Sequence, residues 1–416
     1  MSKNQEPASS ILSRRDFVAA STLGAIAATS ALADPAAAAA RAVGIKPRDL
    51  PNLTIKRVKV YATNLGDRKR LNSTDRGELA CVVTESGIEG FYSLGNRGGT
   101  GAQFLRYAKP LLPGKSAINH LQLKPKYVGS PAQNWYASAV DICLWDILGK
   151  AVGLPIYRLL GGYHDRVMAY ASSNYHNTVE AYVEDMARAK AAHYQGYKIH
   201  PPGRRVAGGR TIPGYQVDME VIKAIRNAAG DDFVLMHDPV QRYTRREALE
   251  VGRLLDRLNY RWFEDPIQTT DIEGLAQLCR ALDLEIHIGE FIYSPNDFPK
   301  YILAEALTVV RFIADNVGGI TGGMKVGQVG ECFSLQCAPH NWGNVFDLAV
   351  HFQCELAMPN CYWFEMALPE EATDVPYVKE RFRIDKEGYM VAPTKPGLGL
   401  EIDRDILDKV TKKVEV

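Results

Sequence analysis

At 416 residues the chain is too long for one small core and about right for a barrel plus one accessory domain, so two intertwined domains are expected. Its 49 basic and 48 acidic residues nearly cancel, so no global charge draws it to nucleic acid or an anionic membrane surface, which leaves a small-molecule partner. The seven cysteines stand singly, without the CxxC pairs or knuckle spacing that structural zinc needs, and most read as buried apolar side chains.

The first element is an address. Ser13, Arg14, Arg15, Asp16, Phe17 and Val18 precede an Ala-rich apolar stretch that runs to Ala31, Leu32 and Ala33, a small-x-small cleavage pattern. This resembles a twin-arginine export signal, with residues 1–40 as signal and Ala-rich linker. The stretch is too short and too weakly apolar for a stable membrane anchor. A periplasmic or exported, already folded product is therefore expected.

From Leu53, alternating apolar positions at Ile55, Val58, Val60 and then Leu79, Cys81, Val83, with turns at Glu85, Ser86, Gly87 and Gly90, predict an antiparallel sheet. A helix follows from about Trp135 to Ala151, with Ala139, Ile142, Cys143, Asp146 and Leu148 at three- and four-residue steps. Pro155, Gly161 and Gly162 close this unit near residue 165. Beyond it, eight short strand-like runs alternate with helical stretches: 167–171, 197–200, 233–238, 260–264, 285–290, 309–313, 334–340 and 361–365. Repeated alternation implies parallel strands joined by crossover helices, and eight of them suit a closed barrel whose site lies at the carboxyl ends.

Three successive runs among them end in acids, Asp238, Glu264 and Glu290, each 26 residues from the next. One strand–helix unit of spacing puts them on adjacent strands at similar height. Converging carboxylates repel unless a hard cation neutralises them, and an all-oxygen set suits Mg²⁺. Singly, each acid is equally suited to cap the helix that follows; three in register favour the metal. Lys198 and His200 alternate along one strand and so face the mouth together, while His340 ends a strand opposite. A lysine in a dry pocket near a cation is a candidate base, and histidine needs less help.

The stretch Ala137, Ser138, Ala139, Val140, Asp141 through Leu148, Gly149, Lys150 and on to Gly161, Gly162 resembles the mandelate racemase-like branch of the enolase superfamily. So do Trp262, Phe263, Glu264, Asp265, Pro266, the Gly289, Glu290 pair, and Gly318, Gly319, Ile320, Thr321. The likeness runs from about residue 53 to Pro396, Gly397, Leu398, Gly399. It implies an α/β fold, a modified (β/α) TIM-type barrel over residues 166–379 with an N-terminal α+β capping domain over 53–165, completed by about 380–416. It also implies Mg²⁺ on Asp238, Glu264 and Glu290, chelating a substrate carboxylate so that the neighbouring proton can leave through an enediolate. Lys198 corresponds to the first lysine of the family's Lys-x-Lys motif, His340 to the catalytic histidine opposite, and Glu365 to the acid on the last strand. Three positions depart from the pattern. His200 replaces the second lysine, so either Lys198 or His200 is the base; Val240 stands where Asn is common; and Ile313 stands where an aspartate orients the histidine, which nominates Asp315 two residues on.

Enediolate chemistry ends in dehydration, racemisation or epimerisation, or cycloisomerisation, according to the rest of the pocket. Dehydration of an acid sugar to a 2-keto-3-deoxy acid is the outcome the resemblance favours, His340 being able to return a proton to the leaving hydroxyl. The polar loop Asp67, Arg68, Lys69, Arg70 with Asn72 to Arg76, a second loop at Tyr92 to Arg97, and an insertion with Arg204, Arg205 and Arg210 are candidate specificity elements. A homo-oligomer is expected. The altered lysine keeps a competing reading open, an exported sugar-acid binding protein without catalysis.

Overall fold

The structure is a computed structural model that describes residues 50–64, 77–94, 100–123, 131–202, 205–207, 210–212 and 214–416. The export signal, the loop at 67–76, positions 95–97 and Arg204 lie outside the described residues. Among those described, no helix is long and apolar enough to cross a membrane.

The N-terminal region is a four-stranded antiparallel sheet backed by helices. Its strands are β1 (Ile55–Thr63), β2 (Glu78–Thr84), β3 (Glu89–Leu94) and the C-terminal β15 (Thr411–Glu415), in the order β15-β1-β2-β3. Helix α1 (Gly101–Ala108) packs beside β1, and helix α2 (Pro131–Val152) lies against β3. Gly90 is required there: a Cβ would sit 2.0 Å from the Cys143 carbonyl oxygen. Asp146 of α2 clamps the chain on both sides, its carboxylate accepting from the N–H of Phe91 at 3.0 Å and of Leu398 at 2.9 Å.

The eight expected barrel strands all form, as β4 (Arg166–Ser172), β5 (Gly196–Ile199), β8 (Val234–His237), β9 (Trp262–Glu264), β10 (Glu285–Ile288), β11 (Val309–Val310), β12 (Gln336–Cys337) and β13 (Trp363–Ala367). They run parallel in the order β12-β11-β10-β9-β8-β5-β4-β13, so from β4 to β12 each barrel strand pairs with the next one along the chain, while β13 pairs with β4. The Cys337 N–H donates to the Asn360 carbonyl at 2.9 Å, joining the two ends of the order. A small hairpin, β6 (Arg205–Ala207) with β7 (Arg210–Ile212), interrupts the β5 crossover, and β14 (Tyr389–Val391) pairs antiparallel with the start of β4.

Crossover helices α3 (Val179–Ala191), α4 (Gly214–Ala229), α5 (Arg245–Arg257) and α6 (Ile272–Ala281) follow the early strands. Thr244 shows how such a helix starts: its hydroxyl accepts from the Glu247 N–H and the Glu247 carboxylate reaches back to the Thr244 N–H, a capping box worth about 1 kcal/mol. Several strands are shorter than their apolar runs, because the last residues peel away from the ladder to carry the site. Beyond β11 come α7 (Ala314–Val317) and α8 (Gly319–Cys332), and beyond β12 comes α9 (Val345–Glu355).

Candidate active site

The carboxylates of Asp238, Glu264 and Glu290 end or follow three adjacent strands, β8, β9 and β10, and are fully buried. One oxygen from each lies within 4.8 Å of the others. Asp238 is held by its own loop: the Val240 N–H donates to its Oδ1 at 2.8 Å. That bond needs Val240 at φ 54°, a left-handed conformation that a β-branched side chain strongly disfavours. Backbone strain is thus spent on orienting this one acid.

The electrostatics of the three differ. Burial, reinforced by Asp238 and Glu264, pushes Glu290 up to about 8. Burial also pushes Glu264 up to about 7, against the downward pull of Arg311 and Lys198. Burial opposes the charge of Asp238 too, but Lys198 and His200 outweigh it and hold that carboxyl below its ordinary range. The Glu290 Oε2 has no hydrogen-bond partner, and both carboxylate oxygens of the neighbouring Asp265 are likewise buried without one. A buried acceptor left bare costs about 1–3 kcal/mol, more when charged, which a bound cation and its waters would remove.

Cations close the cluster from below. Lys198 Nζ lies 2.8 Å from Glu264 Oε1, 2.7 Å from Glu365 Oε1 and 3.6 Å from Asp238 Oδ2. Arg311, just past β11, reaches Glu264 through Nε at 2.8 Å and Glu365 through one terminal nitrogen at 2.5 Å. Burial and Arg311 push the Lys198 ammonium down, yet Glu264 and Glu365 hold it well above the ordinary lysine value. The dry pocket is filled with carboxylates, and these set that direction.

Two imidazoles flank the triad. His200 Nε2 is 3.0 Å from Asp238 Oδ2, with its Nδ1 2.6 Å from the Ser173 carbonyl. His340 Nε2 is 3.4 Å from Glu290 Oε2. Both line a cavity of about 380 Å³ together with Asp238, Glu290, Trp135, Asn174, Tyr175, Tyr293, Asn316 and Trp342. Glu365 and Lys198 lie beneath, fully buried, and are not part of that lining.

Asp315 is placed differently from expectation. The strand carrying it was to continue past Ile313, but β11 ends at Val310 and Asp315 sits in α7. Its side chain accepts from the Tyr92 hydroxyl of β3 at 2.6 Å and its carbonyl from the Ser138 hydroxyl of α2 at 2.7 Å. Gly318 and Gly319, at φ 94° and 77°, turn the chain there, and a Cβ on Gly319 would lie 2.4 Å from Asp141, whose carboxylate binds the Thr321 N–H and hydroxyl. The quoted Asp141 and Gly-Gly-Ile-Thr motifs therefore meet as one junction between cap and barrel. Arg311 and the aromatic lining were missed; a lone arginine inside the apolar run Val309 to Ile313 was the one available signal.

Residues 181–406 match the family model described as enolase C-terminal domain-like, and residues 74–161 match the mandelate racemase / muconate lactonizing enzyme N-terminal domain. The chain belongs to the enolase superfamily of enzymes. Within that superfamily it is 33% identical over 274 residues to an arabinonate dehydratase of Saccharolobus solfataricus, covering 65% of this chain and 71% of that one. It is 33% identical over 230 residues to an L-talarate/galactarate dehydratase of Salmonella typhimurium, over 55% of this chain and 54% of that one, so it spans about half of that relative's length. The structure of D-glucarate dehydratase from Agrobacterium tumefaciens complexed with magnesium superposes with a TM-score of 0.78 at 28% identity, over 87% of this chain and 100% of that one. Three oxygen ligands, a bare Glu290 oxygen and an adjoining polar cavity fit a magnesium ion on Asp238, Glu264 and Glu290.

Proposed function

We propose that this superfamily member is an acid-sugar dehydratase that removes the proton alpha to a carboxylate and expels the β-hydroxyl, giving a 2-keto-3-deoxy acid. The observation that carries the reading is the buried triad of Asp238, Glu264 and Glu290, two of whose acids, Asp238 and Glu290, line a cavity together with His200 and His340. Magnesium on the three acids would supply Lewis-acid stabilisation of the negative charge that develops on the substrate carboxylate. His200 is positioned to take the alpha proton, its ring fixed by the Ser173 carbonyl. His340, from a strand on the far side of the barrel, gives a proton to the departing hydroxyl, which leaves as water. Lys198 stays an ammonium in this scheme, holding Glu264 and Glu365 in place. Trp135, Tyr175 and Trp342 exclude water from the carbon skeleton.

Two imidazoles facing one cavity also suit epimerisation, where one removes and the other returns the alpha proton. Incubation with Mg²⁺ and a panel of acid sugars in D₂O separates the two readings. Formation of a 2-keto acid supports dehydration, alpha-deuteration with inversion and no loss of water supports epimerisation, and binding with neither exchange nor turnover defeats both. Export by the twin-arginine route is proposed on Arg14 and Arg15 and the Ala-rich stretch behind them.

A further inference from the structure

Arg311 is fully buried, yet it follows an apolar strand where a hydrophobic side chain would fill the same space. Burying a guanidinium costs several kcal/mol before its partners repay it, so packing alone does not account for it. What it brings is a permanent positive charge and a rigid fork of donors. Its three nitrogens each face an oxygen of the site or of the chain beside it. Nε meets Glu264 Oε1 at 2.8 Å and lies 3.7 Å from Glu290 Oε2. One terminal nitrogen meets Glu365 at 2.5 Å, and the other donates to the carbonyls of Ala338 at 3.0 Å and Pro339 at 3.4 Å.

Three consequences follow from those contacts. Asp238, Glu264, Glu290 and Glu365 are buried carboxylates with Asp265 beside them, and Arg311 with Lys198 supplies only two positive charges against them, leaving an excess of acids that a divalent ion would reduce. Arg311 also shares Glu264 Oε1, an atom of a ligand residue, and like charges at this range inside a protein repel strongly. Finally, it fixes the two residues that precede His340. We propose that Arg311 is a built-in counter-cation of the metal site, which weakens divalent-ion binding while holding the strand end that presents His340. The proposal rests on reading the triad as a divalent-ion site.

The test is Mg²⁺ titration by calorimetry on the full chain at pH 8, for wild type, Arg311→Met and Arg311→Lys, with thermal midpoints in chelator and in excess Mg²⁺. Arg311→Met is expected to bind Mg²⁺ at least about tenfold tighter while melting lower in chelator, and Arg311→Lys to stay within about threefold of wild type. A folded Arg311→Met that binds Mg²⁺ equally or more weakly overturns the proposal, since a packing role alone predicts loss of affinity. Should Arg311→Met not fold in chelator, rescue by Mg²⁺ below the wild-type Kd supports it, and failure to fold at any Mg²⁺ concentration overturns it. Absence of Mg²⁺ binding by the wild type would instead sink the divalent-ion reading itself, a result recorded before any variant is made.

Discussion

Magnesium affinity should rise steeply between pH 6.5 and 8, because the cation must displace protons from Glu290 and Glu264. Both acids are raised from an ordinary value near 4.5, to about 8 and about 7, burial being the first cause in each. The sign is fixed by that direction. A raised carboxyl supports the fold while protonated and loses that support as pH climbs through its folded value, and a bound cation removes the loss. Over this interval Glu290 contributes about 1.2 decades of affinity and Glu264 about 0.6, roughly sixtyfold or about 2.4 kcal/mol in all. Buried His237 and His287, lowered by burial to about 3 and about 4, bind protons only below the interval. Asp265 and Glu355, both raised well above ordinary acids first by burial, destabilise in the same direction but are not ligands, so they largely cancel between bound and free protein. Calorimetry at pH 6.5 and 8, in two buffers of different ionisation enthalpy, reads both the affinity and the protons released. Affinity that changes less than threefold, with no proton release, would refute the argument, and Glu290→Gln should remove the larger part of the slope.

Three further outcomes are expected. His340→Asn should lower turnover by roughly a hundred- to ten-thousandfold while leaving the Mg²⁺ Kd within about twofold, measured by steady-state kinetics beside calorimetry. Wild-type turnover would remove His340 from the chemistry. Val240→Asn puts a residue tolerant of φ 54° where a β-branched one is strained, and should stabilise the protein by about 1 kcal/mol in denaturant unfolding with the Asp238 contact kept. A loss of stability would show that the Val240 side chain outweighs its backbone cost. Replacing both Arg14 and Arg15 with Lys should leave the precursor inside the cell in a fractionation assay; undiminished export would exclude the twin-arginine route.

The barrel was legible because its repeat is regular: a strand, a helix and a terminal acid every 26 residues mark Asp238, Glu264 and Glu290 without any knowledge of packing. The same regularity did not show that Asp315 stands on a helix. Alternation assumes that the chain stays extended past Ile313, whereas β11 ends at Val310 and a helix begins at Ala314. Arg311 was illegible for a related reason, since its partners Glu264 and Glu365 lie 47 and 54 residues away and only the curl of the sheet brings them within 3 Å. The pairing of β15 with β1 was similarly hidden, because Thr411, Lys412, Lys413, Val414 and Glu415 carry little apolar pattern and their strand depends on the neighbour. Lys198 was legible as a residue facing the acids, but its contact with Glu365 was not, because sequence distance does not connect the two.

The segment after Ile313 ties the cap to the metal-ligand candidates. Trp135 of α2 donates through Nε1 to Asn316 Oδ1 at 3.1 Å, and Asn316 Nδ2 donates to the Glu290 carbonyl at 2.7 Å. One residue earlier, Asp315 takes the Tyr92 hydroxyl, which also contacts Asp347 at the start of α9 at 2.9 Å. Residues 315 and 316 therefore connect β3 and α2 of the cap to the β10 end of the barrel through buried side chains. Trp135 and Glu290 also line the same cavity. A displacement of α2 would thus alter the pocket wall and pull on the backbone of a candidate ligand at once. That coupling makes the cap a structural part of the candidate metal site, and it accounts for Asp315 being spent on the domain junction through Tyr92 and Ser138.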